Sequence, residues 1–350
     1  MHRKLLNILF LKISTLFFTG VLSAQFETNE DYQIYAINLP YQISFAEEIV
    51  PMHKFDIQER LDKELLTNTY WQSKTILLIK RSNKYLPIIE KILKEEKIPD
   101  DFKYLAVAES GLENLTSPAG AKGIWQFLKK TGLEYGLEIN NEIDERYHLE
   151  KATRAACKYL RKAYDKLGSW TLAAAAYNMG IHGIHKAIEL QKVTNYYDLM
   201  LNNETYRYVF RILAIKEIIT NFKEYGFIIN ENDFYIRPKV FTVNVDTAIK
   251  NVADFALKMN VNYKLIKQFN PWILTNTISN TKKKNYILKI PNNNYSNSNK
   301  TDTLIYICKA KDNLFEIARK YDITVENLLL WNQLVPSKKL KKNQKIIIIK

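Results

Sequence analysis

Cysteine is nearly missing from these 350 residues: only Cys157 and Cys308 occur, far apart in the chain. A disulfide framework is therefore not expected, and both thiols read as buried or half-buried. Long apolar runs are also missing. Residues 1–24 open with Arg3 and Lys4, continue apolar and end Val21-Leu22-Ser23-Ala24, which is the pattern of a secretory signal. Lys12 interrupts that run, so the uninterrupted part is too short to span a bilayer, and no later segment approaches transmembrane length. No cysteine stands at the expected cleavage junction, so nothing signals a lipid-modified terminus; membrane association and oligomeric state stay open. No glycine-rich phosphate loop follows a strand, and no Ser, His, Asp order is apparent. His182 and His185 lack further ligands at metal spacing, so neither a metal nor a cofactor is expected, and His148 reads as structural.

Acidic residues are the scarcer sign: 37 against 51 basic, a net charge of +14. Setting aside Arg3, Lys4 and Lys12 leaves about +11 by the charge count. A basic exported chain suggests an anionic partner. No basic stripe is interleaved with aromatics, so nucleic acid is not expected. A polyanionic polymer of the periplasm or cell envelope fits both charge and export.

Residues 25–55 are polar with scattered aromatics and read as a tether or loosely packed arm. From 56 to 226 the pattern is helical: Leu61, Leu65 and Leu66, then Leu86, Ile89, Ile92 and Leu93 recur at three- and four-residue spacing. Pro99, Asp100 and Asp101 are expected to cap a new helix that leads to Glu109. Beyond 226 the composition shifts to Ile, Asn, Tyr and Lys, and the chain repeats when slid by 62 positions, Ala256 over Ala318, Tyr263 over Val325 and Asn270 over Asn332. Each copy, 240–291 and 303–350, reads as strand, two short helices and strand, with an Asn- and Ser-rich linker at 292–302. The expected fold is multidomain, an all-α domain followed by two small α+β (βααβ) modules.

Glu109 is the most informative residue. It follows Tyr104-Leu105-Ala106-Val107-Ala108, none of which offers an opposite charge. A carboxyl in such a setting has a raised pKa and can keep the proton that a glycosidic oxygen needs. Read alone, Glu109-Ser110-Gly111 fits equally well a solvated helix end. Glu113, four residues on, reads as a solvated loop charge.

Further blocks follow in order: Ser117-Pro118-Ala119-Gly120-Ala121-Lys122-Gly123-Ile124-Trp125-Gln126-Phe127, Ala176-Tyr177-Asn178-Met179-Gly180, and Glu204-Thr205 with Tyr208. Together with Glu109-Ser110-Gly111 they resemble the lytic murein transglycosylases with a lysozyme-like fold. The Trp-Gln-Phe form and Asp144-Glu145-Arg146 are similar to the membrane-bound transglycosylase D subfamily. The resemblance implies cleavage, without water, of the β-1,4 bond between N-acetylmuramic acid and N-acetylglucosamine in peptidoglycan. Glu109 would protonate the leaving oxygen, then act as base on the muramyl C6 hydroxyl, which closes a 1,6-anhydro ring.

Ser117 and Gln126 offer hydrogen bonds to substrate, while Gly120 and Gly123 let the backbone come close to a sugar. Tyr177 and Asn178 are placed to bracket the acid, against bland readings of core packing and a helix cap. Glu204 and Tyr208 share one helical face, so both reach the same cleft. Residues 303–350 resemble a LysM domain, which binds N-acetylglucosamine-containing glycans, except that Lys311 and Asn343 stand where glycine is usual; Asn343 can still adopt the left-handed conformation. Module 240–291 is more divergent, with a structural spacer as likely as sugar binding. The alternatives from other classes are a hydrolytic muramidase and a non-catalytic scaffold bound to the wall.

Overall fold

The computed structural model describes residues 35–292 and, within 303–349, all but 311, 322, 333 and 335–339. The expected export segment, most of the linker, and Lys311 lie outside the described residues.

The helical body begins with α1 (Phe55–Tyr70) and α2 (Gln72–Glu95). Ile57, Leu61 and Leu65, four apart on one face of α1, are fully buried where it packs on α8 (Asn203–Thr220). Between them in sequence lie α3 (Phe102–Ser110), α4 (Lys129–Glu134), α5 (Leu149–Leu167), α6 (Trp170–Met179) and α7 (Ile181–Gln191). Ala173 to Ala176 on α6 are fully buried, and these small side chains let α6 pack closely against both α5 and α8. Because α3 also packs on α8, this last helix meets both of the others. It ends at Thr220, short of the run to 225 that periodicity suggests.

The arm is not loose from residue 43 onward. Strands β1 (Ser44–Phe45) and β2 (Glu48–Ile49) pair antiparallel, and fully buried Phe45 meets Phe102 edge-on at 5.1 Å. The Glu48 carboxylate accepts hydrogen bonds from Ser169 Oγ (2.7 Å) and from the amides of Trp170 (2.6 Å) and Thr171 (2.9 Å), a negative charge on the N-terminus of α6. Asp101 likewise departs from expectation: it makes no side-chain cap for α3 and instead accepts from Ala46 N and Lys216 Nζ, both at 2.7 Å. These partners lie at least 55 residues away, beyond the reach of a local pattern.

The first module pairs β3 (Val240–Val245) with β4 (Tyr286–Pro291) antiparallel, Val240 opposite Pro291, and carries α9 (Val252–Lys258) and α10 (Tyr263–Phe269) between them. Asn251 and Asn262 cap the two helices. The C-terminal module repeats the plan with β5 (Thr303–Ile307), α11 (Leu314–Tyr321), α12 (Val325–Asn332) and β6 (Lys345–Ile349). The repeat extends to bonding. Asn270 donates to Lys289 O (2.8 Å) and accepts from Lys289 N (2.8 Å), and Asn332 treats Ile347 the same way (2.8 and 2.7 Å). Asn343 adopts φ 66°, as expected.

The first module shares its core with the helical body. Ile143 is buried among Val252, Ile266, Trp272 and Leu288, and it bridges to Ile273. Asp144 N donates to Trp272 O (2.9 Å), and Leu274 N to Glu142 O (2.8 Å). The Trp272 ring stacks on both His148 (5.6 Å) and Tyr286 (5.7 Å), so one side chain belongs to both units. Trp272→Ala should therefore cost about 3–5 kcal/mol, read by denaturant unfolding as a loss shared by body and module. An unchanged midpoint for the helical body would disprove the shared core.

Candidate functional site

Glu109 sits in the last turn of α3, which Gly111 ends with φ 61° and an amide bonded back to Val107 O at 2.8 Å. The side chain is half-buried. Its carboxyl accepts a hydrogen bond from the phenol of Tyr208 on α8, itself almost fully buried. Burial pushes the Glu109 carboxyl up to about 7; the Tyr208 hydrogen bond and the charge of Arg211 pull it back, while Glu204 pushes it further up. The phenols of Tyr177 and Tyr208 are raised well above their ordinary value by burial and by the Glu109 charge, so both remain neutral donors.

The chain after Glu109 is fixed from several sides. Ser110 Oγ donates to Ile124 O (2.8 Å), the fully buried Trp125 donates to Thr153 Oγ1 (2.8 Å), and Tyr177 donates to Trp125 O (2.8 Å). Arg146 joins this loop to the body: it holds Asp144 at 2.7 and 2.9 Å and donates to Gly120 O and Phe127 O, each at 3.1 Å. Burial alone would raise the Asp144 carboxyl, but the bonds and charge of Arg146 outweigh it and hold it below the usual range. Gly123 is needed here for a reason other than a sugar. It lies at φ 79°, and a Cβ there would stand 1.9 Å from Arg146 O, so it admits the protein's own backbone.

Tyr177, Asn178, Glu204 and Tyr208 gather with Glu109 where α3, α6 and α8 meet. The Asn178 amide donates to Glu204 Oε1 (3.1 Å), and its carbonyl accepts from Thr205 Oγ1 (2.7 Å). Ser117 and Gln126 are engaged within the loop instead. Ser117 Oγ accepts from Ala121 N (3.0 Å), and the Gln126 amide donates to Gly123 O (2.7 Å) and Leu115 O (3.3 Å). Glu113 is paired with Arg81 at 2.5 Å, a different environment from that of Glu109. Sequence reasoning missed Arg211, and it quoted Thr205 in the last block without giving it a role. Arg211 stands one turn beyond Tyr208, and continuing the Glu204–Tyr208 face by three residues would have found it.

Fold and site together define a class: a mostly helical transglycosylase domain followed by LysM-type modules. Residues 87–200 match the Transglycosylase SLT domain, 241–294 the soluble lytic transglycosylase C-terminal LysM-like domain, and 306–348 the LysM domain. The chain is an SLT-domain protein with two LysM-type modules, and it is similar to the membrane-bound lytic murein transglycosylase D of Escherichia coli strain K12. They are 28% identical over 83% of this chain and 68% of the relative. The protein of the same name from Escherichia coli O6:H1 matches equally. Glu204, Tyr208 and Arg211 lie beyond the SLT match, on the helix that completes the site.

The balance at Glu109 is open to titration, for example by its carboxylate infrared band. Replacing Tyr208 with Phe, or Arg211 with Gln, removes an influence that favours the charged form, so the midpoint should move above about 7. Glu204→Gln should move it down. The opposite order would show that Tyr208 and Arg211 do not favour the charged form and that Glu204 does not oppose it.

Proposed function

We propose that this protein, an enzyme of the lytic transglycosylase class, cleaves the β-1,4 bond between N-acetylmuramic acid and N-acetylglucosamine in peptidoglycan and leaves 1,6-anhydromuramyl ends. The observation that carries this reading is the Glu109 carboxyl, poised near pH 7 by burial. In its acid form it transfers its proton to the glycosidic oxygen as the C1–O bond breaks. As carboxylate it then takes the proton of the muramyl C6 hydroxyl while O6 bonds to C1. Glu109 ends protonated, and no water is consumed. A pKa close to the working pH suits a single group that must serve as acid and then as base.

Tyr208 orients the carboxyl and moderates its pKa. Asn178, fixed by Thr205, holds Glu204 at the rim, and Tyr177 anchors the Trp125 carbonyl beside the acid. Ser117 and Gln126 shape the turn against which the sugar lies. The C-terminal LysM module binds N-acetylglucosamine-containing strands, and the protein works in the cell envelope, where its basic charge meets an anionic polymer.

Glu204 favours one competing reading, a hydrolytic muramidase. Its charge acts on Glu109, so a second carboxylate is within electrostatic reach, as a two-carboxylate mechanism requires. Mass analysis of digested sacculi separates the two. Anhydro ends are lighter by one water, and in the transglycosylase reading Glu204→Gln still yields them. Glu109→Gln should lower digestion by about 10²- to 10⁴-fold while co-sedimentation with sacculi persists, and kcat/KM should fall as pH rises above about 7. Undiminished digestion by the Gln variant would take the catalytic role away from Glu109, and absence of digestion by the parent protein would reduce it to a wall-binding scaffold.

A further inference from the structure

A cleft of about 970 Å³ opens between the helical body and the first module, within the size range of ligand sites. Leu112, Glu113 and Asn114, the turn that follows the Glu109 helix, form part of its wall. Three residues of chain span at most about 11 Å, so this wall begins close to the acid.

The walls combine the aromatic faces of Tyr85 and Tyr147 with charges that do not cancel. Arg81 is neutralised by Glu113 at 2.5 Å, and Lys289 by Glu150. Lys84 and Arg237 remain. Neither has a carboxylate partner among the described residues; Lys84 lies 5.1 Å from the Tyr85 ring and Arg237 is exposed. Two uncompensated cations in a concave, partly apolar wall focus a positive potential into the cleft. A neutral sugar strand gains little from that field, whereas an extended peptide bearing free carboxylates gains both charge pairing and contact with the rings.

We propose that this cleft binds the carboxylate-bearing peptide branch of the same polymer whose glycan lies at Glu109. This rests on the reading of the substrate as peptidoglycan, in which peptides hang from the muramyl units. Lys84 and Arg237 take the peptide carboxylates, and Tyr85 and Tyr147 take its side chains. The first module thereby contributes to choosing which stretch of polymer enters the site, since Leu265, Gln268 and Lys289 of that module stand in the cleft wall.

The test uses the full chain with Glu109→Gln to prevent turnover, titrated calorimetrically with soluble peptide-bearing glycan oligomers and with the same oligomers stripped of peptide by an amidase. The peptide-bearing ligand should bind about tenfold more tightly, the equivalent of about 1.4 kcal/mol, and the preference should shrink with added salt. Lys84→Glu with Arg237→Glu should erase the preference, whereas Lys94→Glu with Lys186→Glu, an equal charge change outside the cleft, should keep it. Equal affinity for the two ligands in the parent protein overturns the proposal, as does a preference that survives reversal at Lys84 and Arg237. Failure of the underlying reading looks different: protein with Glu109 intact leaves sacculi undigested.

Discussion

The proton of Glu109 rests on a contest between burial and hydrogen bonding. Enclosure by α3, α6 and α8 disfavours the carboxylate, while the Tyr208 phenol and the Arg211 charge favour it, and the result lies near 7. Burial without these partners would raise the pKa further and leave a weaker proton donor to the glycosidic oxygen. A direct ion pair, such as Glu113 makes with Arg81, would leave a carboxylate that holds no proton. The site therefore needs a neutral donor at hydrogen-bonding distance and a cation at a remove, and α8 supplies both from positions three residues apart.

Such a group weighs on the fold. The unfolded carboxyl titrates at 4.5 and the folded one at about 7, so the folded chain holds the proton more tightly. Its contribution to stability is unchanged below about pH 4.5 and declines through the window up to 7, by on the order of 3 kcal/mol across the shift. Other interactions secure the surrounding backbone. The Arg146–Asp144 pair is buried with every strong partner satisfied, and Arg146 ties the loop carbonyls of Gly120 and Phe127 to the body. Breaking a pair of this kind is costly because the remaining charge is left stranded.

Much of this was legible in the sequence where the information is local. The helical periodicity and the lone Glu109 among apolar neighbours depend on residues within a few turns, and the 62-residue repeat needs only the chain laid over itself. The convergence of Tyr177, Asn178, Glu204 and Tyr208 was legible only through the ordered blocks that resemble the lytic transglycosylases. What escaped was long-range polar pairing. Glu48 on the α6 N-terminus, Asp101 with Lys216, and Gly123 against Arg146 O join segments whose spacing carries no period. For the same reason the segment around Phe45 looked like a loose arm, although its partner Phe102 lies on the helix that carries Glu109.

The two repeated modules show how one framework serves two ends. Asn270 and Asn332 make the same paired bonds to the last strand of their modules, so the internal lock is common to both. Two residues later the copies part. Position 334 is a leucine packed on its own module's core, whereas the equivalent position 272 is a tryptophan whose ring lies between Tyr286 of the module and His148 of the helical body. A leucine is too small to span that gap and has no flat face to stack. The exchange turns an inward core residue into a bridge, and it makes the first module a wall of the cleft beside the Glu109 loop.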